Sequence, residues 1–274
     1  MTRYISPLRY PGGKARMAGA VRAWINSQPG PPVCLVEPFA GGAGLSLALL
    51  ADDTIATAHL GDLNPGLVAF WRTITTSQGA RAMCDLIEDT PVTIDQWHHC
   101  REVYTAGTGD DLALGFATFF LNRTNRSGIL GARPIGGLSQ GGKWKLDARY
   151  NKTSLIQRIR AVATMGERIT VSLADATDTI NASTPGMALF VDPPYTDMDR
   201  LYDRDLGVDG HARLAQALTR AADTGVPWLL TYDNSPHITA LYTSIGQVRP
   251  VRWAHTAHHP HIDTELIIIN KEKP

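Results

Sequence analysis

The chain has 274 residues, with 26 Lys plus Arg against 26 Asp plus Glu and a formal net charge of zero. A composition that is 43% hydrophobic and 19% charged supports a substantial core and excludes a disordered, collagen-like or disulfide-stapled chain. The length suits one large domain or a domain with a sizeable insertion, and the overall basic excess of many nucleic-acid binders is missing.

In chain order, residues 33–37 form a short apolar run after a Pro/Gly-rich turn and read as a strand. A glycine loop and an apolar helix over 45–51 follow, then a second strand over 55–62. Asn64 caps the next helix with Pro65 at its first position, so the opening is a βαβ unit. From about 67 to 121 the signals are helical, with a capping box at Thr93 and Gln96. Residues 128–142 hold six glycines, which neither a helix nor a central strand accepts. A second capping box, Ser154 with Gln157, opens a further helix. Strands resume at 169–173, 187–192, 226–232 and 266–270, with a helix over 210–224 stopped by Gly225. The expected architecture is α/β. Residues 1–66 and 166–274 build one Rossmann-like sheet domain with helices on both faces, interrupted by a mostly helical, basic insertion over 67–165.

Cys34, Cys84 and Cys100 contain no Cys-x-x-Cys pair, which gives no zinc framework and suits a reducing cytoplasm. No apolar run reaches the ~18–20 residues of a membrane span, and the first residues carry no signal-peptide pattern. A soluble, cytoplasmic protein is expected.

Four motifs carry chemistry. The first, Glu37-Pro38-Phe39-Ala40-Gly41-Gly42-Ala43-Gly44, ends a strand and opens a helix, where open α/β sheets let a ligand approach the backbone. It is neither a G-x-G-x-x-G nor a P-loop. Asp62, at the end of the next strand, can accept bonds from ribose hydroxyls; a turn cluster and a helix-capping Asp read equally well at this point. The second, Asp192-Pro193-Pro194-Tyr195, follows a buried strand. Its two prolines force a fixed extended exit that holds a carboxylate, a carbonyl and an aromatic ring at the sheet rim. Such a set suits a planar heterocycle bearing an amino group. The third runs from Ser6 through Arg9 and Tyr10 to Lys14; the fourth is Asn122-Arg123-Thr124-Asn125-Arg126-Ser127-Gly128.

Taken in order, Tyr-Pro-Gly-Gly-Lys, Glu-Pro-Phe-Ala-Gly-Gly-Ala-Gly, Asp-Leu-Asn-Pro, Leu-Asn-Arg and Asp-Pro-Pro-Tyr resemble the Dam-type DNA adenine-N6 methyltransferases. The resemblance implies an S-adenosylmethionine methyltransferase sheet, a target-recognition insertion and double-stranded DNA as substrate, with room for a cognate restriction endonuclease. It implies that Tyr10 and Lys14 contact the cofactor and that Asp62 holds its ribose. Glu37, Pro38, Phe39, Gly41, Gly42 and Gly44 would surround its methionine end. Asp192, with Pro193, Pro194 and Tyr195, would stand between methyl donor and base. Asp175 is a weaker candidate for the adenine side, or a plain helix cap. No metal is implied.

Adenine N6 is a poor nucleophile, and hydrogen bonds from its N–H groups to the Asp192 carboxylate and the Pro193 carbonyl would aim its lone pair at the methyl group. A base within a duplex must first be flipped out, and Tyr195 would stack on it. The neutral total hides segregation. Residues 122–168 carry ten basic and two acidic side chains, residues 1–24 carry five basic and no acidic ones, and the remainder is net −13. Arg9, Arg133, Lys143 and Lys145 are expected on phosphates, and Asn122, Arg123, Arg126 and Ser127 are placed to supply base contacts or a wedge. His255, His258, His259, His261 and Asp263 match no regular metal spacing and read as a loop between two late strands. The rival readings are a cytosine-N4 or RNA amino methyltransferase, a nucleotide-dependent oxidoreductase, and a catalytically silent DNA-binding regulator.

Overall fold

The computed structural model describes residues 5–10, 13–107, 109–194, 206–255 and 261–271. Strands β1 (Cys34–Glu37), β2 (Thr57–Asp62), β3 (Ile169–Leu173), β4 (Met187–Val191) and β5 (Trp228–Asp233) run parallel, joined by antiparallel β6 (Gly246–His255) and β7 (His261–Asn270). The sheet order is β3-β2-β1-β4-β5-β7-β6. The central strands are nearly continuous apolar runs because helices cover both faces. Ala188, Leu189, Phe190 and Val191 are all buried, as are Trp228, Leu229 and Leu230. Alternation sorts the two cores: Leu35 faces a cluster with Leu47, Phe70, Phe119 and Leu155, and Val36 faces one with Leu218, Trp228 and Tyr242.

The helices are α1 (Ala18–Asn26), α2 (Gly44–Ala51), α3 (Pro65–Ile74), α4 (Ser77–Asp89), α5 (Ile94–Ala106), α6 (Asp111–Thr124), α7 (Lys152–Ala163), α8 (Ala176–Asn181), α9 (Gly207–Asp223) and α10 (Pro236–Tyr242). Asn64 caps α3 as expected, its Oδ1 accepting from the Gly66 and Leu67 amides at 2.9 and 3.2 Å. Thr93 caps α5 through the Gln96 amide. The second expected box is corrected: α7 begins earlier, with Asn151 as its cap, and Ser154 is the residue whose amide the cap binds. An Asx cap three residues upstream outcompetes the serine. The bounds of β6 and the first half of β7 went unread, beyond the expectation of two late strands around a loop, because their mixed polar sequence hides an edge hairpin. Helix α6 lies close on α3 because Gly115 has no side chain; a Cβ there would stand 2.8 Å from the Phe70 Cα. The contact places Phe70 and Phe119 in a stack with ring centroids 5.7 Å apart.

Strand order reverses between β1 and β4: the chain runs outward to β2 and β3 on one side and to β5 on the other. The carboxyl ends of β1 and β4 therefore open side by side on a cleft, the usual ligand position of a doubly wound sheet. That reversal makes neighbours of two motifs about 150 residues apart in sequence.

Candidate active site

At the end of β1 the chain turns through Gly41 and Ala43, both at φ 45°, into α2. The turn is fastened from several sides. Asp62 Oδ2 accepts the Gly41 amide at 2.9 Å and Oδ1 accepts the Asn64 amide at 2.8 Å. Trp71 Nε1 donates to the Gly41 carbonyl at 2.9 Å, and Ser6 Oγ donates to the Gly42 carbonyl at 2.6 Å. The Tyr10 ring lies directly on the glycines; a Cβ at Gly41 would sit 2.7 Å from it. Glu37 is buried at the base of α2 and accepts the Ser46 amide at 2.8 Å. Burial pushes its carboxyl up to about 7 despite the bonding from Ser46, and nearby Asp192 adds to the rise. Burial likewise raises Asp62, against the amides it accepts.

At the end of β4, Asp192 meets the N-terminal segment. Lys14 opens a short 3-10 helix (Lys14–Met17), is only 5% exposed, and places Nζ 3.0 Å from Asp192 Oδ1. Thr231, buried on β5, donates to the same oxygen at 2.5 Å. Behind Lys14 stands Glu265 of β7, whose Oε1 lies 3.9 Å from Lys14 Nζ and 3.8 Å from Arg16. Two positive and two negative groups thus form one compact, neutral set under the Asp-Pro-Pro turn. Sequence reading missed Thr231 and Glu265. Both lie in or beside strands legible in the sequence, but nothing there marks their side chains for the site, and only the pairing of β5 with β7 brings them to this corner.

A cavity of about 1660 Å³ joins these parts. It is lined by Tyr10, Lys14, Glu37, Pro38, Phe39, Gly42, Gly44, Asp62, Asp192, Pro193 and Pro194, so most of the residues singled out in three motifs share one space. Gly41 stands apart from the lining and acts on the loop's shape. Asp175 is the helix cap, holding α8 through the Thr177 amide at 2.8 Å, and it also lines the cavity.

The fourth motif divides. Asn122 is fully buried at the end of α6. Its Oδ1 accepts the Arg9 amide at 2.7 Å, and its Nδ2 donates to the Arg9 and Gly128 carbonyls at 2.7 and 2.9 Å. The expectation that Asn122 reaches a base is therefore corrected; its amide is used inside the protein, tying the N-terminal segment to the end of α6. Arg123 turns inward to the cavity wall, its guanidinium donating to the Arg149 carbonyl. Arg126 and Ser127 are exposed, and Ser127 holds the left-handed conformation at φ 57°, uncommon for a non-glycine residue. Beyond them the glycine-rich segment is stapled by Gln140, which donates to the Ile135 carbonyl at 2.8 Å and accepts the Leu146 amide at 2.8 Å. The staple presents Arg133, Lys143 and Lys145 to solvent, with Trp144 between the two lysines at 62% exposure. Trp144 was missed in the sequence because an isolated Trp carries no signal.

Tyr195 and residues 256–260, with His258 and His259, lie outside the described residues. Among the described residues no group of three or more His, Cys, Asp or Glu is placed to hold a metal ion.

A comparison with curated proteins gave no match. Among solved structures, a conserved hypothetical protein of Streptococcus pyogenes is 11% identical, covers 87% of this chain and 86% of its own, and superposes with a TM-score of 0.34. The family model for D12 class N6 adenine-specific DNA methyltransferases matches residues 10–257. With that match spanning nearly the whole chain, over a mixed α/β sheet, the chain belongs to the D12 class N6 adenine-specific DNA methyltransferases.

Proposed function

We propose that this enzyme transfers the methyl group of S-adenosylmethionine to N6 of an adenine flipped out of duplex DNA. The observation that carries the reading is the meeting of the glycine loop and the Asp192-Pro193-Pro194 turn around one cavity at the strand-order reversal.

The residues present fit the cofactor. Asp62 already accepts the Gly41 and Asn64 amides, with the Leu63 amide beside them, and its carboxylate keeps some acceptor capacity, which suits a ribose hydroxyl. Glu37 supplies a buried acid for a cationic methionine end, beside the apolar Pro38 and Phe39. Tyr10 lies against the loop that would hold the remainder. When bound, S-adenosylmethionine supplies an electrophilic methyl on a sulfonium. The protein's part is positioning and electrostatics. The Asp192 carboxylate and the Pro193 carbonyl accept the two N6–H bonds. Lys14 and Thr231 both hold Oδ1 of Asp192, so the carboxylate meets the base in a fixed orientation. Pro194 keeps the turn stiff, and Tyr195 is assigned the stacking role.

In this reading residues 67–165 are the target-recognition part. Arg126, Ser127, Arg133, Lys143 and Lys145 face the duplex, and the unusual backbone of Ser127 suits a residue pressed against a displaced base. No helix among the described residues is long and apolar enough to cross a membrane. We place the enzyme in the cytoplasm on double-stranded DNA, alone or beside a cognate restriction endonuclease.

Tritiated-methyl incorporation into genomic DNA, with the modified bases then mapped, tests the reading. N6-methyladenine at one short sequence is expected. Label in cytosine or in RNA alone, or none in DNA, overturns it.

A further inference from the structure

Four arginines gather where the cavity meets the insertion. Arg9, Arg123 and Arg158 line it beside Ser127. Arg149 adjoins them, its carbonyl accepting from Arg123 at 2.9 and 2.6 Å. Arg158 is tied by one terminal nitrogen to the Ser6 carbonyl at 3.1 Å, and the Arg9 backbone is locked by Asn122. Three separate pieces of chain are thus fastened so that like charges sit together. No ion pair joins any of the four to a carboxylate among the described residues.

The arrangement is costly as it stands. Arg9 Nη1 and Arg158 Nε are buried with no hydrogen-bond partner. A donor taken from water and left unbonded is destabilising, and on a cation more so. Burial, with the neighbouring Arg9, Arg158 and Arg149, brings Arg123 down to about 10; burial and Arg149 lower Arg9. Ion pairs with the protein's own acids would remove this cost, and the fold makes none here. Such a site is completed by an anion from outside with several acceptor oxygens.

We propose that Arg9, Arg123, Arg149 and Arg158 clamp one backbone phosphate of the target strand, next to the flipped adenosine. The proposal rests on the DNA-adenine reading above and deepens it. A phosphodiester has two unesterified oxygens that accept from several directions, matching guanidinium groups delivered by different segments. The position also fits. Extruding a base swings its own sugar-phosphate toward the pocket, so an arginine group at the pocket mouth binds the flipped state better than the stacked one and shifts the balance toward it. The cofactor's carboxylate is the competing source of anionic oxygens. The parts assigned to the cofactor, Asp62, Glu37 and the glycine loop, belong to the sheet, whereas Arg123, Arg149 and Arg158 come from the insertion.

The test walks a single neutral methylphosphonate along both strands of a duplex containing the mapped adenine, measuring binding and methyl transfer. With wild-type protein, one position flanking the adenine is expected to lose at least tenfold in affinity and the others only a few-fold. Arg158→Ala, and Arg158→Gln as the more conservative variant, should bind the unmodified duplex about tenfold less well and lose their sensitivity to that one position. Both should bind S-adenosylmethionine as wild type does. A flat scan alongside normal wild-type methylation overturns the clamp alone, as does a variant that keeps the positional sensitivity. Weakened S-adenosylmethionine binding with DNA affinity intact reassigns the site to the cofactor and also overturns it. A wild-type protein that methylates no duplex overturns the underlying reading, and the clamp with it.

Discussion

Two charged groups reach the same cavity, one through Lys14 and Asp192 and the other through Arg9, Arg123 and Arg158, and they are built on opposite principles. Around Asp192, Lys14, Arg16 and Glu265 pair with one another and Thr231 completes the set, so the charges are balanced inside the protein. Around Arg123, like charges converge and two buried donors find no acceptor. The first holds its acceptor still with its own ion pairs, although Glu265 Oε2 is buried without a hydrogen-bond partner; this suits the neutral base proposed for it. The second is fastened by the protein's own carbonyls and amides, yet its charges have no counter-ion among the described residues. On the proposed reading, charge balance within each site matches the charge of its ligand, a distinction that the zero net charge of the whole chain does not make.

The largest effect should come from breaking the balanced group at its centre. Asp192→Ala removes the proposed acceptor for N6–H and is expected to lower methyl transfer by ~10²–10³-fold or more, the scale of losing one preorganised electrostatic group. Lys14 keeps Glu265 as a neighbour, so the variant should fold and bind DNA near wild-type affinity. Single-turnover methylation alongside equilibrium binding separates the two. Turnover within a few-fold of wild type would show that the balanced group is structural.

Glu37 sharpens the comparison because it is a buried acid whose neighbourhood raises its pKa. Its carboxyl is pushed up to about 7 in the fold, from a reference value of 4.5. Below the reference value both folded and unfolded chains hold the proton, and the group is neutral toward stability. As pH rises toward 7 the unfolded chain releases the proton first, so the native state loses stability through that window, by about 3 kcal/mol at most. Glu37→Gln removes the titration. The melting temperature of the variant relative to wild type should therefore climb by several degrees between about pH 5 and 7.5. A constant gap across that range would mean that the group is not perturbed.

Much of this was legible in the sequence, and the failures share a cause. The glycine loop, the Asp62 strand end, the Asn64 cap and the Asp-Pro-Pro exit are local signals, and the structure shows each element where it was read. What could not be read depends on which strands are neighbours. Thr231 and Glu265 are ordinary strand residues until β7 pairs antiparallel with β5. Asn122 has the look of a polar residue in a basic motif, and only tertiary packing shows its amide engaged by Arg9 and Gly128. Charge blocks were visible; their division into an unpaired inner wall and an exposed outer rim was not.

Thr231 tests how finely the balanced group is tuned. Thr231→Val keeps the shape of a buried side chain and deletes one donor to Asp192 Oδ1. One hydrogen bond to a charged group is worth about 1.5–3 kcal/mol, of which orientation of the carboxylate recovers only part through Lys14. A fall of about tenfold in kcat with little change in KM for DNA is expected, since the residue acts through Asp192. A change confined to KM would show that Thr231 shapes the pocket instead.

The smallest effects belong to the outer rim, and they separate it from the inner wall. Arg133, Lys143 and Lys145 are exposed, so each carries its charge at little internal cost, and the proposed phosphate contacts would be hydrated ones. Removing one should weaken DNA binding only a few-fold near physiological salt, equally for target and non-target duplexes, and lower the slope of log K against log salt by about one. The clamp gives the inner arginines a different signature: their loss should be larger, concentrated on the duplex bearing the target adenine, and seen at a single phosphate. Salt titrations of Lys143→Ala, and of a triple variant at Arg133, Lys143 and Lys145, put numbers on that distinction. If the triple variant leaves the slope unchanged, the exposed rim does not touch DNA, and the phosphate contacts must be sought along the inner wall.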